Sequence, residues 1–213
     1  MTPSAARPEA RVAVFAKAPV AGAVKTRLAG ILGPQGAADL HAELVRHALA
    51  TAGASGAAVE LWCSPDARDP FFARCAADFG AVLREQEGED LGERMRRAFE
   101  EAFASGRALV IIGADCPALA AKDVRAALDS LAAHDAVLAP AEDGGYVLVG
   151  LSRPVPTLFD SIAWGGGDVM RETRSRLAAA GVHWKELPTF WDVDRPEDYE
   201  RMIREELLGK ALT

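Results

Sequence analysis

Cysteine is scarce in this chain: 3 residues among 213, standing singly at Cys63, Cys75 and Cys116. An odd number without C-x-x-C spacing supplies neither a disulfide framework nor a zinc site, so a reducing, cytoplasmic setting is the expectation. A basic surplus is missing as well, since 24 Lys and Arg stand against 31 Asp and Glu, a formal charge of −7. That balance argues against nucleic acid or an anionic membrane as partner, because either needs a basic face to neutralise phosphate. Long apolar runs are absent too. The opening "MTPSAARPEAR" carries no apolar segment of the signal-peptide kind, and "ALVIIG", 108–113, is too short to span a bilayer. Neither export nor membrane anchoring is expected.

Several catalytic signatures do not occur. There is no G-x-S-x-G elbow and no G-x-G-x-x-G after the first apolar run, which weakens hydrolase and dinucleotide-binding readings. His41 and His47 lie six apart, about 240° around a helix, and so do not converge on a metal as the i, i+4 pair of H-E-x-x-H does.

What is present suffices for one substantial core: 213 residues, 50% hydrophobic. One domain is expected over 11–213, after a disordered tail at 1–10. Apolar runs predict strands at 12–16, 57–62, 81–84, 108–113, 136–139, 145–151 and 182–186, and helical spacing predicts helices at 35–52, 91–103, 122–131 and 168–180. A further helix should start at the Pro of "DVDRPEDYERM". Alternation of this kind implies an α/β protein of three layers, α/β/α. Its sheet is mostly parallel, and ligands bind beyond the carboxyl ends of the strands.

At the end of the first run, "FAKAPVAGAVKTRLAG" (15–30) has the Lys-Thr of a P-loop at Lys25-Thr26. Ala23 and Val24 separate Lys25 from Gly22, however, so the P-loop spacing fails. What remains is Lys17, Lys25 and Arg27 among small residues, either a phosphate-holding loop or a solvated basic one. Asp115 follows the apolar run "LVIIGA" and stands where a strand should end. One or two carboxylates at such a corner are what a Mg²⁺ shared with phosphates takes from protein, the alternative being a turn or helix cap. In "WDVDRP", Asp192 and Asp194 are expected to face opposite ways, leaving one for the crevice, and Asp194 is preferred over Asp192. "EDGGYVLVGL" places Asp143-Gly144-Gly145 in a tight turn before Tyr146, a hairpin signal that also permits close backbone approach by a ligand. In "EQEGEDLGERMRRAF", Gln86, Gly88, Gly92 and Arg94 are candidate nucleotide contacts, and an exposed charged helix face is the alternative.

Taken together and in this order, "AKAPVAGAVKTRLAG", "QEGEDLGERM", "GADCPAL", "EDGGYVLVGL" and "WDVDRPEDYERM" resemble a family of small bacterial and archaeal nucleotide-diphospho-sugar transferase-like proteins with the GT-A, Rossmann-like fold. That family is long known as a domain of unknown function and is often described as arsenosugar-biosynthesis-type glycosyltransferases. It is related in fold to molybdenum-cofactor and phospholactate guanylyltransferases. The resemblance runs from about residue 11 to about residue 205.

The resemblance implies that Ala16, Lys17, Ala18, Pro19, Gly22, Lys25, Arg27, Gln86, Gly88, Gly92, Arg94, Ala114 and Asp115 contact the nucleotide, with Lys25, Arg27 and Asp115 catalytic. It also implies that Mg²⁺ or Mn²⁺ sits at Asp115 and Asp194. Asp143, Gly144, Gly145, Tyr146 and Trp164 are then expected on the acceptor or sugar side. The implied partners are a nucleotide or nucleotide-sugar donor and a small-molecule acceptor, with a homodimer allowed.

Glycosyl transfer from a sugar nucleotide is the first expectation. The alternatives are transfer of a nucleotidyl group from an NTP to a phosphorylated acceptor, and nucleotide binding without turnover. In nucleotidyl transfer Arg153 or Arg171 would have to meet the acceptor's phosphate. Two departures bear on this. "GGG", 165–167, replaces a Ser/Thr-rich step after the late Trp, and Asp115-Cys116-Pro117 lacks the second carboxylate of D-x-D, so metal binding is expected to be weak until nucleotide arrives.

Overall fold

A computed structural model describes residues 10–208; of the tail expected at 1–10, residues 1–9 lie outside the described residues with the last five of the chain, while Ala10 already belongs to the first strand. The strands are β1 (Ala10–Lys17), β2 (Ala58–Ser64), β3 (Val82–Glu85), β4 (Ala108–Gly113), β5 (Ala136–Pro140), β6 (Tyr146–Leu151) and β7 (Trp184–Glu186). The helices are α1 (Ala29–Ala54), α2 (Pro70–Phe79), α3 (Leu91–Ala104), α4 (Ala121–Ser130), α5 (Val169–Ala179) and α6 (Pro196–Arg204). All seven strands join one sheet in the order β3-β2-β1-β4-β6-β5-β7. β6 runs antiparallel to both β4 and β5, and every other pairing is parallel. The expected three-layer α/β/α architecture with a mostly parallel mixed sheet is present.

Alternation along β1 shows why the layers form. Val12, Val14 and Ala16 enter one core with residues of α1, α2 and α4, while Ala13 and Phe15 enter the other with Met95 and Phe99 of α3 and Met170 and Leu177 of α5. Successive strand side chains point to opposite faces, so a central strand reads as a continuous apolar run. Complete burial of large side chains such as Trp62, Phe72 and Leu109 contributes about 1.5–3 kcal/mol each. A third cluster, with Leu28, Leu40, Leu44, Trp191, Val193 and Met202, fastens α6 and the segment before it to α1.

Helix α1 is kinked at Gly33 (φ 70, ψ 164), which Pro34 follows. Its regular part therefore begins where Pro sits comfortably at a first turn, in agreement with the helix expected at 35–52. Helix α2 was not expected from apolar spacing. Its signals are at the ends: Asp69 accepts from Phe71 N–H, Pro70 occupies the first turn, and Gly80 closes it in a left-handed conformation (φ 64).

From β1 the chain steps outward through β2 and β3, then returns to β4 on the other side of β1. The carboxyl ends of β1 and β4 consequently flank the switch in strand order, where a crevice opens in sheets of this kind. Lys17 ends the first strand and Gly113 the second.

Candidate active site

The crevice is an open cleft of about 570 Å³, lined by residues that include Ala16, Lys17, Lys25, Arg27, His41, Gln86, Leu91, Arg94, Ala114, Asp115 and Asp194. Segments distant in sequence meet there because each is tied to a strand end. Ala18 N–H donates to Ser64 C=O at 2.8 Å, so the loop after β1 starts out fixed against β2. Val193 N–H donates to Asp115 C=O at 2.9 Å, which sets Asp194 beside the end of β4. Asp198 then accepts from Asp194 N–H and Arg195 N–H at 3.2 and 2.8 Å, so the first-turn acid of α6 holds this segment.

At the centre is Lys25. Its backbone is left-handed (φ 47, ψ 39), uncommon for a residue with a Cβ and a form of strain often found at functional sites. Its side chain is 4% exposed, and Nζ lies 2.7 Å from Asp115 Oδ1 and 3.0 Å from Asp194 Oδ1. Burial opposes the ammonium, but the two carboxylates outweigh it and raise its pKa. Arg27 reaches Asp194 Oδ2 at 3.3 Å from a solvent-exposed position.

Asp115 is 43% exposed as a side chain, yet its Oδ1 is buried, and the contact with Lys25 lacks hydrogen-bond alignment. One carboxylate oxygen faces Lys25 and the other faces the cleft. Burial pushes Asp115 up, but the Lys25 ammonium outweighs it and leaves its pKa lowered.

His41 was not expected here. Helical spacing identifies the Leu40–Leu44–Ala48 stripe as core, and His41 adjoins that stripe on α1. One ring nitrogen, Nε2, lies 3.0 Å from Lys17 C=O, while Nδ1 has no hydrogen-bond partner and lies 3.8 Å from Asp115 Oδ1. Donation from Nε2 to the carbonyl assigns the proton to that nitrogen. Burial lowers the pKa of His41 and favours this neutral ring, with Asp115 only partly opposing it.

Asp192 and Asp194 do not part as expected. Residues two apart in extended chain share a side, and Asp192 is pushed up to about 6 by burial and then by Asp143, Asp194 and Asp115. The four carboxylates share one neighbourhood, of which Asp115 and Asp194 line the cleft.

The remaining expected residues fall in two places. Ala18 is buried, and Pro19 and Gly22 shape the turn before Lys25, Gly22 having φ 81. Gln86 Nε2 donates to Trp62 C=O at 2.7 Å and to Ala16 C=O at 3.3 Å, which fixes its amide in the cleft. Arg94 Nε donates to Gly88 C=O at 3.0 Å, and a Cβ at Gly88 would lie 2.9 Å from Arg94 N. A Cβ at Gly92 would lie 2.5 Å from the Trp164 indole, so this glycine admits Trp164 against α3. Tyr146 meets Trp164 edge to face and turns its hydroxyl toward Met95 Sδ at 3.9 Å; burial raises its pKa. Asp143 Oδ1 accepts from Gly145 N–H at 2.8 Å, and Gly144 C=O accepts from Met170 N–H at 2.8 Å. Thus the 143–145 turn packs against the start of α5, and of the residues expected on the acceptor side, Asp143, Gly144, Gly145, Tyr146 and Trp164, none is among those lining the cleft.

The two arginines considered for an acceptor phosphate differ. Arg153 makes a two-pronged pair with Asp135 (2.7 and 3.0 Å) and does not line the cleft. Arg171 does not line the cleft either; it is 68% exposed in an i, i+3 pair with Asp168 and adjoins Met170, whose N–H meets Gly144.

The donor set fits a divalent cation shared with phosphates. Two carboxylates converge on one point, and Asp115 Oδ1 is buried without an aligned donor. Among the described residues no group of three His, Cys, Asp or Glu could hold a metal alone, so phosphate and water would complete the shell, as Mg²⁺ prefers. Among the described residues no helix is long and apolar enough to cross a membrane.

A mixed sheet with this switch in strand order and a cationic, dicarboxylate cleft at its carboxyl edge defines an α/β transferase of nucleotides or nucleotide sugars. The chain belongs to the DUF2064 family, described as "Uncharacterized protein conserved in bacteria", whose model matches residues 44–166. Among curated relatives, a 3-phospho-D-glycerate guanylyltransferase of Phenylobacterium zucineum is 36% identical over 190 residues, 84% of this chain and 84% of its own. A phosphoenolpyruvate guanylyltransferase of Chloroflexus aggregans is 28% identical over 143 residues, 63% of this chain and 70% of its own. Among solved structures, a Desulfovibrio desulfuricans protein provisionally designated a nucleotide-diphospho-sugar transferase superposes with a TM-score of 0.86. It is 33% identical, and the match covers 95% of this chain and 90% of that one.

Proposed function

We propose that this transferase is a nucleotidylyltransferase, joining the nucleotidyl group of an NTP, most simply GTP, to a small phosphorylated acceptor and releasing pyrophosphate. The observation that carries this reading is the gathering of Lys17, Lys25, Arg27 and Arg94 with Asp115 and Asp194 in one cleft. Four cations suit a triphosphate better than the diphosphate of a sugar nucleotide. Two curated relatives that act on phosphorylated carboxylic acids support the same choice over glycosyl transfer, the first expectation from sequence.

In this reading an acceptor phosphate oxygen attacks the α-phosphorus, the bond to the β-phosphate bridging oxygen breaks, and pyrophosphate leaves with that electron pair. Lys25 and Arg27 stabilise charge as it grows on the departing pyrophosphate. Asp115 and Asp194 hold the divalent cation, which supplies Lewis-acid screening of the phosphates when bound. Gln86, fixed through its amide nitrogen, leaves its oxygen free to accept from a base edge. Arg171 takes the anionic group of the acceptor.

The test is pyrophosphate release from GTP, ATP, CTP and UTP with Mg²⁺ and 3-phosphoglycerate or phosphoenolpyruvate. Release with one NTP, dependent on acceptor, is the expected result. Turnover of a sugar nucleotide to nucleoside diphosphate with no pyrophosphate from any NTP would return the assignment to glycosyl transfer.

A further inference from the structure

We infer that Lys25 is the resident cation of the dicarboxylate site: in the free protein its ammonium occupies the charge position between Asp115 and Asp194, so a divalent cation enters only with nucleotide. The inference rests on the nucleotide reading of the cleft. It goes beyond that reading by giving Lys25 a second role and fixing an order of binding.

Three observations carry it. The ammonium contacts one oxygen of each carboxylate, at 2.7 and 3.0 Å, and is shielded from water, its side chain being 4% exposed. A buried ammonium persists only when paired, and here the pair is the two acids that would ligate the metal. The contact with Asp115 is a 2.7 Å ion pair out of ideal hydrogen-bond alignment; its attraction is mainly one of charge, which another cation could replace. Finally, the left-handed backbone of Lys25 holds its side chain at this spot without a glycine's freedom (φ 47).

A divalent cation approaching the free protein meets two carboxylates whose charge is already half compensated. It would have to enter beside a buried ammonium, against like-charge repulsion in a poorly screened place. Phosphates offer Lys25 an alternative anion. Once the ammonium turns to them, Asp115 and Asp194 regain their full charge toward the metal. Coupling of this kind is reciprocal, so metal strengthens nucleotide binding by the factor by which nucleotide strengthens metal binding. Lys25 is thus a positioning residue for the acids in the free state and a phosphate contact in the loaded one.

The test is Mn²⁺ binding to the nucleotide-free protein, read from loss of the free-ion electron paramagnetic resonance signal, for wild type and Lys25→Met. Removing the ammonium should tighten Mn²⁺ binding by about tenfold or more, and Mn²⁺ should raise the melting temperature of the variant more than that of wild type. Lys25→Gln, whose amide can still donate to one carboxylate, carries the same test if Lys25→Met does not fold. Equal or weaker Mn²⁺ binding in the folded variant overturns the inference, as does wild-type binding that is equally tight with and without nucleotide. Because the variant measurement needs neither nucleotide nor turnover, its outcome stands apart from that of the pyrophosphate assay.

Discussion

Gly144 and Gly167 meet backbone to backbone: a Cβ on Gly144 would fall inside the carbonyl of Gly167, closer than real Cβ contacts come. Gly144 also has φ 91, a conformation L side chains rarely adopt. The "DGG" turn and the "GGG" loop are therefore two halves of one joint, and the steric constraint lies at Gly144, since a Cβ on Gly167 would meet Asp143 C=O at an ordinary 3.5 Å.

Gly144→Ala should lower stability by about 2–4 kcal/mol, from left-handed strain plus overpacking. Gly165→Ala has a similar φ of 82 but nothing within 4 Å of the added Cβ, and should lose only about 1–2 kcal/mol. Denaturant unfolding of both variants checks the order; equal losses would mean that the joint adapts to a side chain.

That joint marks where sequence reading ended. The strands around β1 and β4 were legible because central strands buried on both faces read as apolar runs. Asp115 was legible as a polar residue where such a run stops. Trp164 against Gly92 was not legible, since a glycine between Leu91 and Glu93 gives no sign of what packs on it. The Asp143-Gly144-Gly145 hairpin signal made the antiparallel pairing of β5 and β6 legible, but not the insertion of β6 between β5 and β4, because alternation along a strand does not encode its neighbours. His41 was overlooked for a physical reason: beside a Leu stripe, a buried polar residue is ordinarily core, and only the distant Lys17 carbonyl and Asp115 show what it faces. Asp192 and Asp194 share a side, as the two-residue period of extended chain requires, so spacing does not distinguish them.

The acid limb of stability should carry a signature of Asp135. Its hydrogen bonds from Arg153 and from His183 N–H hold its carboxyl down at about 2. A depressed carboxyl stabilises the fold above its unfolded pKa, about 3.9, and that contribution is lost as pH falls through the folded value. The melting temperature of Asp135→Asn should lie below that of wild type by a constant amount above about pH 5, and the gap should close between about pH 4 and 2. A gap independent of pH would show that the contact acts through shape rather than charge.

All three cysteines should be silent in the native protein. Cys63, Cys75 and Cys116 are 0%, 1% and 6% exposed. Burial pushes the Cys63 and Cys116 thiols up to about 12 and raises Cys75 as well. The thiolate is the reactive form, so an aromatic disulfide reagent at pH 8 should release no colour until denaturant is added and should then titrate three thiols. Rapid native labelling of one thiol would mean that its part of the core opens locally.

In the proposed reaction Arg171 meets the anion of the acceptor, from a position outside the residues that line the cleft. Asp143 and Asp192 leave the acceptor side acidic, and Arg153 is committed to Asp135. Arg171 stands at the first turn of α5, next to the residue that ties this helix to Gly144. Its pair with Asp168 is exposed on both sides, 68% and 70%, and an exposed pair gives up its partner at little cost. Arg171→Ala should therefore raise the acceptor KM by about tenfold or more, the loss of one charge-assisted contact, and leave the nucleotide KM and the unfolding midpoint unchanged. Arg153→Ala, lacking a path to the cleft, should leave both KM values unchanged. Should Arg171→Ala alter the nucleotide KM instead, α5 would belong to the donor side and the acceptor's anion would have to be met by Lys17 or Arg94.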